Sequence, residues 1–513
     1  FLPHFLALVV FIGISMSFFH PALSGYSLKT HDVKTFKGAS KELTDYRSEF
    51  KEEALWTNSM FGGMPGIQIS VRQNKMTYYL HKVIQLGLPY PVGVLWLYML
   101  GFYILLLSLK VDFKLAIIGA IAFGFSTYFF VIIQAGHITK TYAIAYMAPT
   151  LGGIILAYRG RLLLGLSTFA LFLALELLSN HIQITYYFVI VILAVVISEM
   201  IRFIRENDFK KFIKISLFLL GVSLLPILTS LGNLWGTIEY GKHTTRGVSE
   251  LSNDKANKTG GLDRDYATAW SYGVGETFSF MLPYVKGGGS TPLFMLHESS
   301  VSDEQLDQLD SKMDDRVKSQ LFNQVRNETS YWGDQSFTSG NDYVGIIIVF
   351  PALLALFYLK GHLKWFLLGV IVLSFMLSWG KNMMWFTNFF LDYVPGYNKF
   401  RAVSMILVIA ELCFPILGIL FLNYLIKNRA EVNENINRFY IGFGMFFLLL
   451  LSFVLSPETF FNFFPAGQGQ LTLDYLEQTL KRWEYEFDKD NALEENIDTD
   501  RDTQVINGAP QLV

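Results

Sequence analysis

Asp32 stands close behind the first apolar segment, in Gly25-Tyr26-Ser27-Leu28-Lys29-Thr30-His31-Asp32. A carboxylate there acts as general base on a hydroxyl if a pocket raises its pKa towards the working pH. The alternative is a solvated loop aspartate or a helix cap. His137 and Lys140 are three residues apart, a spacing that brings side chains together on a helix. The pair would grip a phosphate, or Lys140 would serve as an interfacial anchor. Asn180-His181-x-Gln183-x-x-Tyr186 is a polar cluster between two apolar runs, a tight turn or a cavity lining. Its density of hydrogen-bonding groups favours a lining, because polar groups facing lipid are costly. His243 and Arg246 follow a later apolar run and could contact phosphate. So could Lys399 and Arg401, in Val394-Pro395-Gly396-Tyr397-Asn398-Lys399-Phe400-Arg401. Arg favours planar, bidentate phosphate contacts. The alternative for Lys399 and Arg401 is anchoring the end of the next span.

Other acids read differently. Asp45, Glu52 and Glu53 fall on the polar side of an amphipathic helix and are expected to be solvated. Glu52 and Glu53 are adjacent and point in different directions, a poor arrangement for a shared cation. Glu176 and Glu411 sit inside apolar runs, where an acid faces the bundle interior, a partner or a water-filled cavity. Glu411 is expected near mid-membrane, and Glu199 is expected to snorkel at a helix end. No P-loop, G-x-G-x-x-G on a strand, H-E-x-x-H or G-x-S-x-G is present. Asn257-Lys258-Thr259 and Asn327-Glu328-Thr329 match the N-glycosylation pattern.

The scaffold that must position these groups is a membrane bundle. Of 513 residues, 52% are hydrophobic and 16% charged, with 46 Phe and 26 Tyr. The mean hydropathy is +0.36. That balance excludes disorder, collagen, coiled coil and a disulfide-built module. A net charge of −2 leaves no nucleic-acid footprint. Cys413 is the sole cysteine, so neither an intrachain disulfide nor a Cys-based zinc site can form. A spanning helix needs about 20 mainly apolar residues. About eleven segments satisfy this: 1–22, 86–109, 115–134, 143–158, 162–179, 183–203, 215–236, 342–359, 364–380, 402–425 and 439–456. The division of 162–203 falls at Ser179-Asn180-His181. The first segment lacks the basic start of a signal peptide and reads as a span.

Lys and Arg set the expected orientation. One set of short connections carries 14 of them, from Lys110 and Lys114 to Lys427, Arg429 and Arg438, and the opposite set carries 4. The richer side is expected in the cytoplasm, with the N-terminus. Loops 23–85 and 237–341 and the tail 457–513 then face outward. In the first loop, Leu43, Tyr46, Phe50 and Ala54 mark one interfacial helix ended by Gly62-Gly63. Met76, Tyr79, Leu80, Val83 and Ile84 mark a second. The second loop holds Gly287-Gly288-Gly289, an acidic stretch from Ser302 to Asp315, and Tyr331-Trp332-Gly333-Asp334. The tail has an acidic helix-like region, Leu473 to Asp500. The start at Phe1 without Met and the abrupt end read as a fragment of a longer chain.

The order of these features resembles the GT-C superfamily of integral-membrane glycosyltransferases. More closely, the chain is similar to the YfhO-like bacterial membrane proteins of Bacteroidetes-type bacteria. The matching segments are His31-Asp32 through Ser40-Lys41-Glu42-Leu43, Trp56-Thr57-Asn58-Ser59-Met60-Phe61-Gly62-Gly63-Met64-Pro65, and Gly136-His137. They continue with Asn180-His181-Ile182-Gln183-Ile184-Thr185-Tyr186-Tyr187, Tyr331-Trp332-Gly333-Asp334-Gln335 and Val394 to Arg401. The resemblance implies an all-α polytopic membrane domain, 1–456, in the bacterial cytoplasmic membrane. It implies inverting transfer of a sugar from a polyprenyl-phosphate donor to an acceptor on the outer face, an envelope glycan, a teichoic-type polymer or a glycolipid. By position, Asp32 matches the family's first-loop acid, base or metal ligand. His31, His137, Lys140, His181, Gln183, Tyr186, His243, Arg246, Lys399 and Arg401 are the expected substrate-binding set. The family often adds a second acid, to which no residue is assigned, so a divalent cation is neither required nor excluded. The rival readings are a transporter or flippase of lipid-linked saccharides and a non-enzymatic envelope-assembly protein.

Overall fold

The computed structural model describes residues 2–28, 30–70, 74–247, 255–292 and 329–457. The acidic stretch Ser302–Asp315, Asn327-Glu328 and the tail from 458 onward lie outside the described residues. The chain is mostly helical. Among the described residues, five helices are long and apolar enough to cross a membrane, or up to seven if each of two bent pairs counts as one span.

The chain begins with α1 (Leu2–Phe18) and a short α2 (His20–Leu23). Among its described residues the first loop holds three α-helices rather than two: α3 (His31–Ala39), α4 (Lys41–Phe50) and α5 (Lys75–Ile84). α4 stops at Phe50 because Lys51 adopts a left-handed conformation, φ 60°, so Ala54 lies outside the helix. Leu43 is its one buried apolar residue, while Tyr46 and Phe50 pack together at the surface, ring centroids 4.7 Å apart. Trp56–Thr57 pairs antiparallel with Met64–Pro65, and the Trp56 ring occupies the space a Cβ on Gly63 would need.

The bundle proper starts with α6 (Val92–Ser108), later than the expected 86, because Leu86, Gly87, Pro89 and Pro91 break the helix before it. α7 (Phe113–Gly124) and α8 (Thr127–Ala135) form one expected segment bent by 44° at Phe125-Ser126. α9 (Ile138–Tyr158) starts five residues earlier than expected and is the most enclosed span, with 89% of its window buried. α10 (Leu162–Leu178) lies against it through glycines. A Cβ on Gly153 would meet the Phe169 nitrogen at 2.4 Å, and one on Gly165 the Ala157 nitrogen at 2.3 Å. Small residues that let backbones approach closely are how helices associate without a hydrophobic drive between them.

The 162–203 segment divides at Asn180, φ 55°, into α10 and α11 (Ile182–Arg205). α12 (Phe209–Thr229) begins before the expected 215 and takes Lys210, Lys211 and Lys214 into its first turns. It is followed by α13 (Leu231–Gly241) and the short α14 (Arg264–Thr268). After the strand pair Gly287–Pro292 with Thr329–Tyr331 comes α15 (Ile346–Tyr358). Asp342 therefore lies in a loop before the helix, with Gly345 at φ 109° preceding its first turn, and not inside a span as expected from 342–359. α16 (Leu363–Ser378) turns through 106° into Gly380–Tyr393, which contains α17 (Met384–Tyr393). α18 (Leu407–Lys427), the short α19 (Arg429–Glu434) and α20 (Ile436–Leu455) complete the described chain.

At the end of the bundle away from His137, Glu199 does not snorkel. Its side chain is 8% exposed, 2.7 Å from the Arg202 guanidinium and 3.7 Å from that of Arg159. Two guanidiniums compensate the buried carboxylate, where an unpaired one would be costly.

Candidate functional site

The residues that gather at the other end come from four distant segments. α3 carries Asp32 in its first turn, where the helix dipole favours a negative charge. The start of α3 rests on the turn between α8 and α9. Gly136 has φ 87°, and a Cβ there would meet Thr30 Oγ1 at 2.7 Å and Val33 Cγ2 at 3.3 Å. Only glycine allows this approach. It brings His137 Nε2 to 3.0 Å from Asp32 Oδ2, with Asp32 half-exposed. Burial lowers the His137 pKa to about 4, aided by the Lys140 charge and opposed by Asp32. His137 is thus a neutral imidazole near pH 7. Its Nε2 carries the proton, since a carboxylate only accepts.

Lys140, in the first turn of α9, is 5% exposed. Among the described residues its ammonium has no hydrogen-bond or ion-pair partner. It lies within electrostatic reach of both Asp32 and Asp342. His181 precedes α11. Burial, with Lys140 and His137 nearby, pushes its pKa down to about 3. The buried Nδ1 atoms of His137 and His181 have no partner among the described residues.

Arg401 supplies a further cation. Its guanidinium donates to the Tyr266 hydroxyl at 2.7 Å and lies 5.6 and 5.7 Å from the Tyr266 and Trp270 ring centres. Its charge is felt at His137 and at Arg246. Gln183 and Tyr186 position it instead of binding alongside it. Gln183 Nε2 donates to the Arg401 carbonyl at 2.7 Å and to the Tyr187 hydroxyl at 3.0 Å. The Tyr186 hydroxyl donates to the Pro395 carbonyl at 2.9 Å. Lys399 is likewise a staple: its ammonium donates to the carbonyls of Arg246 and Gly260 at 2.8 and 2.6 Å. His243 is exposed just after α13, and among the described residues its side chain forms no hydrogen bond. His31 opens α3.

Of the acids expected to be solvated, Asp45 forms an exposed pair with Lys41, whereas Glu53 is only partly exposed and is held 2.7 Å from the Arg47 guanidinium, which shields it from solvent. Glu52 is exposed. Glu176, fully buried, accepts from Thr185 Oγ1 at 2.7 Å. Glu411 lies only one turn into α18, not at its middle, and accepts from Ser126 at the α7–α8 break.

Asp342 was hidden by its expected place in a span. The polar run Gly340-Asn341-Asp342 ahead of the first apolar residue was the signal for it. The flanking backbone is fixed: Tyr343 N–H donates to Thr127 Oγ1 at 2.8 Å, and Val344 N–H to the Phe280 carbonyl at 3.2 Å. Burial pushes Asp342 up to about 8, reinforced by Glu276 and opposed by Lys140. Among the described residues no three His, Cys, Asp or Glu side chains group to hold a metal ion.

The arrangement joins a half-exposed carboxylate–imidazole pair to a buried ammonium and the Arg401 guanidinium nearby. It can take a proton from a hydroxyl and neutralise an anion. The chain matches no known protein family, no curated protein and no solved structure.

Proposed function

We propose that this protein is an inverting GT-C-type membrane glycosyltransferase, similar to YfhO-like proteins, that uses a polyprenyl-phosphate sugar donor. Asp32 takes the acceptor hydroxyl proton, with His137 holding the carboxylate in place. The acceptor oxygen attacks the anomeric carbon and inverts it, and the C–O bond to the lipid phosphate breaks. Lys140 and Arg401 stabilise the phosphate charge as it develops. The observation that carries this reading is the Asp32–His137 contact of 3.0 Å beside a buried Lys140 that has no ion-pair partner among the described residues. A shallow apolar surface lined by Val10, Gly13, Ile14, Ser17, Phe18 and Phe125 lies beside α1 and suits contact with a lipid chain. The reading includes eleven spans, the shorter helices α1, α6, α10 and α15 among them, with the Asp32 end outside the bacterial cytoplasmic membrane. The acceptor is an envelope glycan, teichoic-type polymer or glycolipid.

Two bent helix pairs favour a second reading, a transporter of lipid-linked saccharides, since interrupted helices line many transport sites. The deciding experiment compares envelope glycans of cells with and without the gene, alongside transfer by purified protein. A glycan lacking one sugar, with that sugar transferred in vitro, is the expected result. An unchanged set of linkages, with lipid-linked precursor accumulating on one leaflet, would establish the transporter instead.

A further inference from the structure

Behind Lys140 lies a group of polar side chains that the proposed chemistry does not use. Asp342 is 7% exposed and, among the described residues, its carboxyl has no hydrogen-bond partner. The buried hydroxyls of Tyr128, Tyr272 and Ser279 and Oε1 of Glu411 have no partner among the described residues either. These groups share one neighbourhood. Tyr128 interacts electrostatically with Asp342 and Glu411. Tyr272 interacts electrostatically with Asp342, and its hydroxyl lies close to that of Ser279. The backbone on either side of Asp342 is bonded to Thr127, next to Tyr128, and to Phe280, next to Ser279.

Buried polar groups without partners are costly, and natural proteins keep few of them. So many in one place call for an occupant that both donates and accepts. An apolar chain would satisfy none of them. An anion deeper than Lys140 would meet carboxyl groups, not further cations. A metal ion would face the Lys140 ammonium, and no three-ligand cluster is present among the described residues. Vicinal hydroxyls of a neutral sugar ring donate and accept as water does, and their chemistry would satisfy these groups in its place.

We propose that Asp342, Tyr128, Tyr272 and Ser279 form the recognition chamber for the sugar ring, reading its hydroxyls by hydrogen bonds while Lys140 marks the phosphate end. This rests on the transferase reading. Asp342 is here a specificity-determining residue and takes no proton from the acceptor. A carboxyl group pushed up to about 8 both donates and accepts at neutral pH, as hydroxyl recognition requires.

The test is lipid binding by the purified full chain in detergent. The probes are undecaprenyl phosphate and its glucosyl, mannosyl and galactosyl esters. One ester should bind the wild type roughly tenfold tighter than the bare lipid. Tyr272→Phe and Asp342→Asn should each lose roughly 3- to 10-fold of that preference, the worth of a hydrogen bond or two, with bare-lipid binding unchanged. Tyr272→Phe keeps the ring and removes only a hydroxyl whose one polar neighbour among the described residues is Ser279, so it should fold even if Asp342→Asn does not. If the preference survives in Tyr272→Phe, or no ester outbinds the bare lipid, the chamber is overturned. If the bare lipid itself does not bind, the transferase reading fails instead.

Discussion

Arg246 and Lys399 hold each other's backbone. The Arg246 guanidinium Nε donates to the Lys399 carbonyl at 3.0 Å, and the Lys399 ammonium returns a bond to the Arg246 carbonyl at 2.8 Å. This reciprocal clasp ties the segment after α13 to the loop that presents Arg401. It explains why two neighbouring cations, Lys399 and Arg401, have different work.

Substituting the two should therefore separate stability from binding. Lys399→Met removes bonds to two carbonyls at an exposed position and should cost about 1 kcal/mol. Limited proteolysis should then cut faster between residues 242 and 262. Arg401→Gln should leave the proteolysis pattern intact and weaken undecaprenyl phosphate binding by roughly tenfold. Equal loss of binding in both variants, with no change in proteolysis, would contradict the division.

The stability contributed by His81 should be lost to acid across a defined window. Burial, with the adjacent Lys82 charge, holds His81 down to about 4, and its Nδ1 is 2.6 Å from the Tyr146 hydroxyl. Its ordinary value is 6.5, so between pH 6.5 and 4 the unfolded chain binds a proton that the native one refuses. Its contribution is complete above pH 6.5 and lost as pH falls towards 4. The slope per histidine is at most about 1.4 kcal/mol per pH unit. His137 and His181 are shifted the same way. Asp342, pushed up to about 8, contributes with the opposite sign over the same window, because the native carboxyl keeps a proton that the unfolded one gives up. The histidine contribution is therefore read as a difference: the wild-type thermal midpoint minus that of His81→Gln, in detergent, should fall from pH 7 to 4.5. A difference independent of pH in that window would refute the account.

Orientation is testable with single cysteines, because native Cys413 is fully buried. The 14-to-4 asymmetry of Lys and Arg predicts that Asp45→Cys labels with a membrane-impermeant maleimide in intact spheroplasts, and that Asp208→Cys labels only after lysis. The opposite pattern would place Asp32 in the cytoplasm and remove the outer-face site.

Apolar run length made the helical bundle legible, since each expected segment holds a helix. Boundaries failed where backbone conformation decides them. Lys51 at φ 60° ended α4 early, and the bend at Phe125-Ser126 interrupts an uninterrupted apolar pattern. Residue type and place near helix ends singled out Asp32, His137, Lys140, His181 and Arg401, which the fold brings to one end of the bundle. Roles were harder, because Gln183, Tyr186 and Lys399 have the same chemistry whether they touch a ligand or a carbonyl. Only the fold shows that their donors are spent on Arg401, Pro395, Arg246 and Gly260. Asp342 escaped because a single acid beside a long apolar run looks like part of it.

The sharpest expectation concerns Asp32. Asp32→Asn keeps the size of the side chain and an oxygen for the His137 Nε2–H, but cannot take a proton as a carboxylate does. General-base catalysis typically contributes about 10²–10⁴-fold, so transfer should fall by that order while the protein still inserts and accumulates. Glu52→Gln should change little, since Glu52 is exposed on the first loop. The measurement is transfer from a labelled undecaprenyl-phosphate sugar, read beside protein abundance. Near-normal transfer by Asp32→Asn at normal abundance would reduce Asp32 to a residue that fixes the His137 ring. The base would then be sought first at Asp334, which accepts from Asn382 Nδ2 at 2.9 Å, because Asp45 and Glu239 are engaged by Lys41 and Lys242 at the surface.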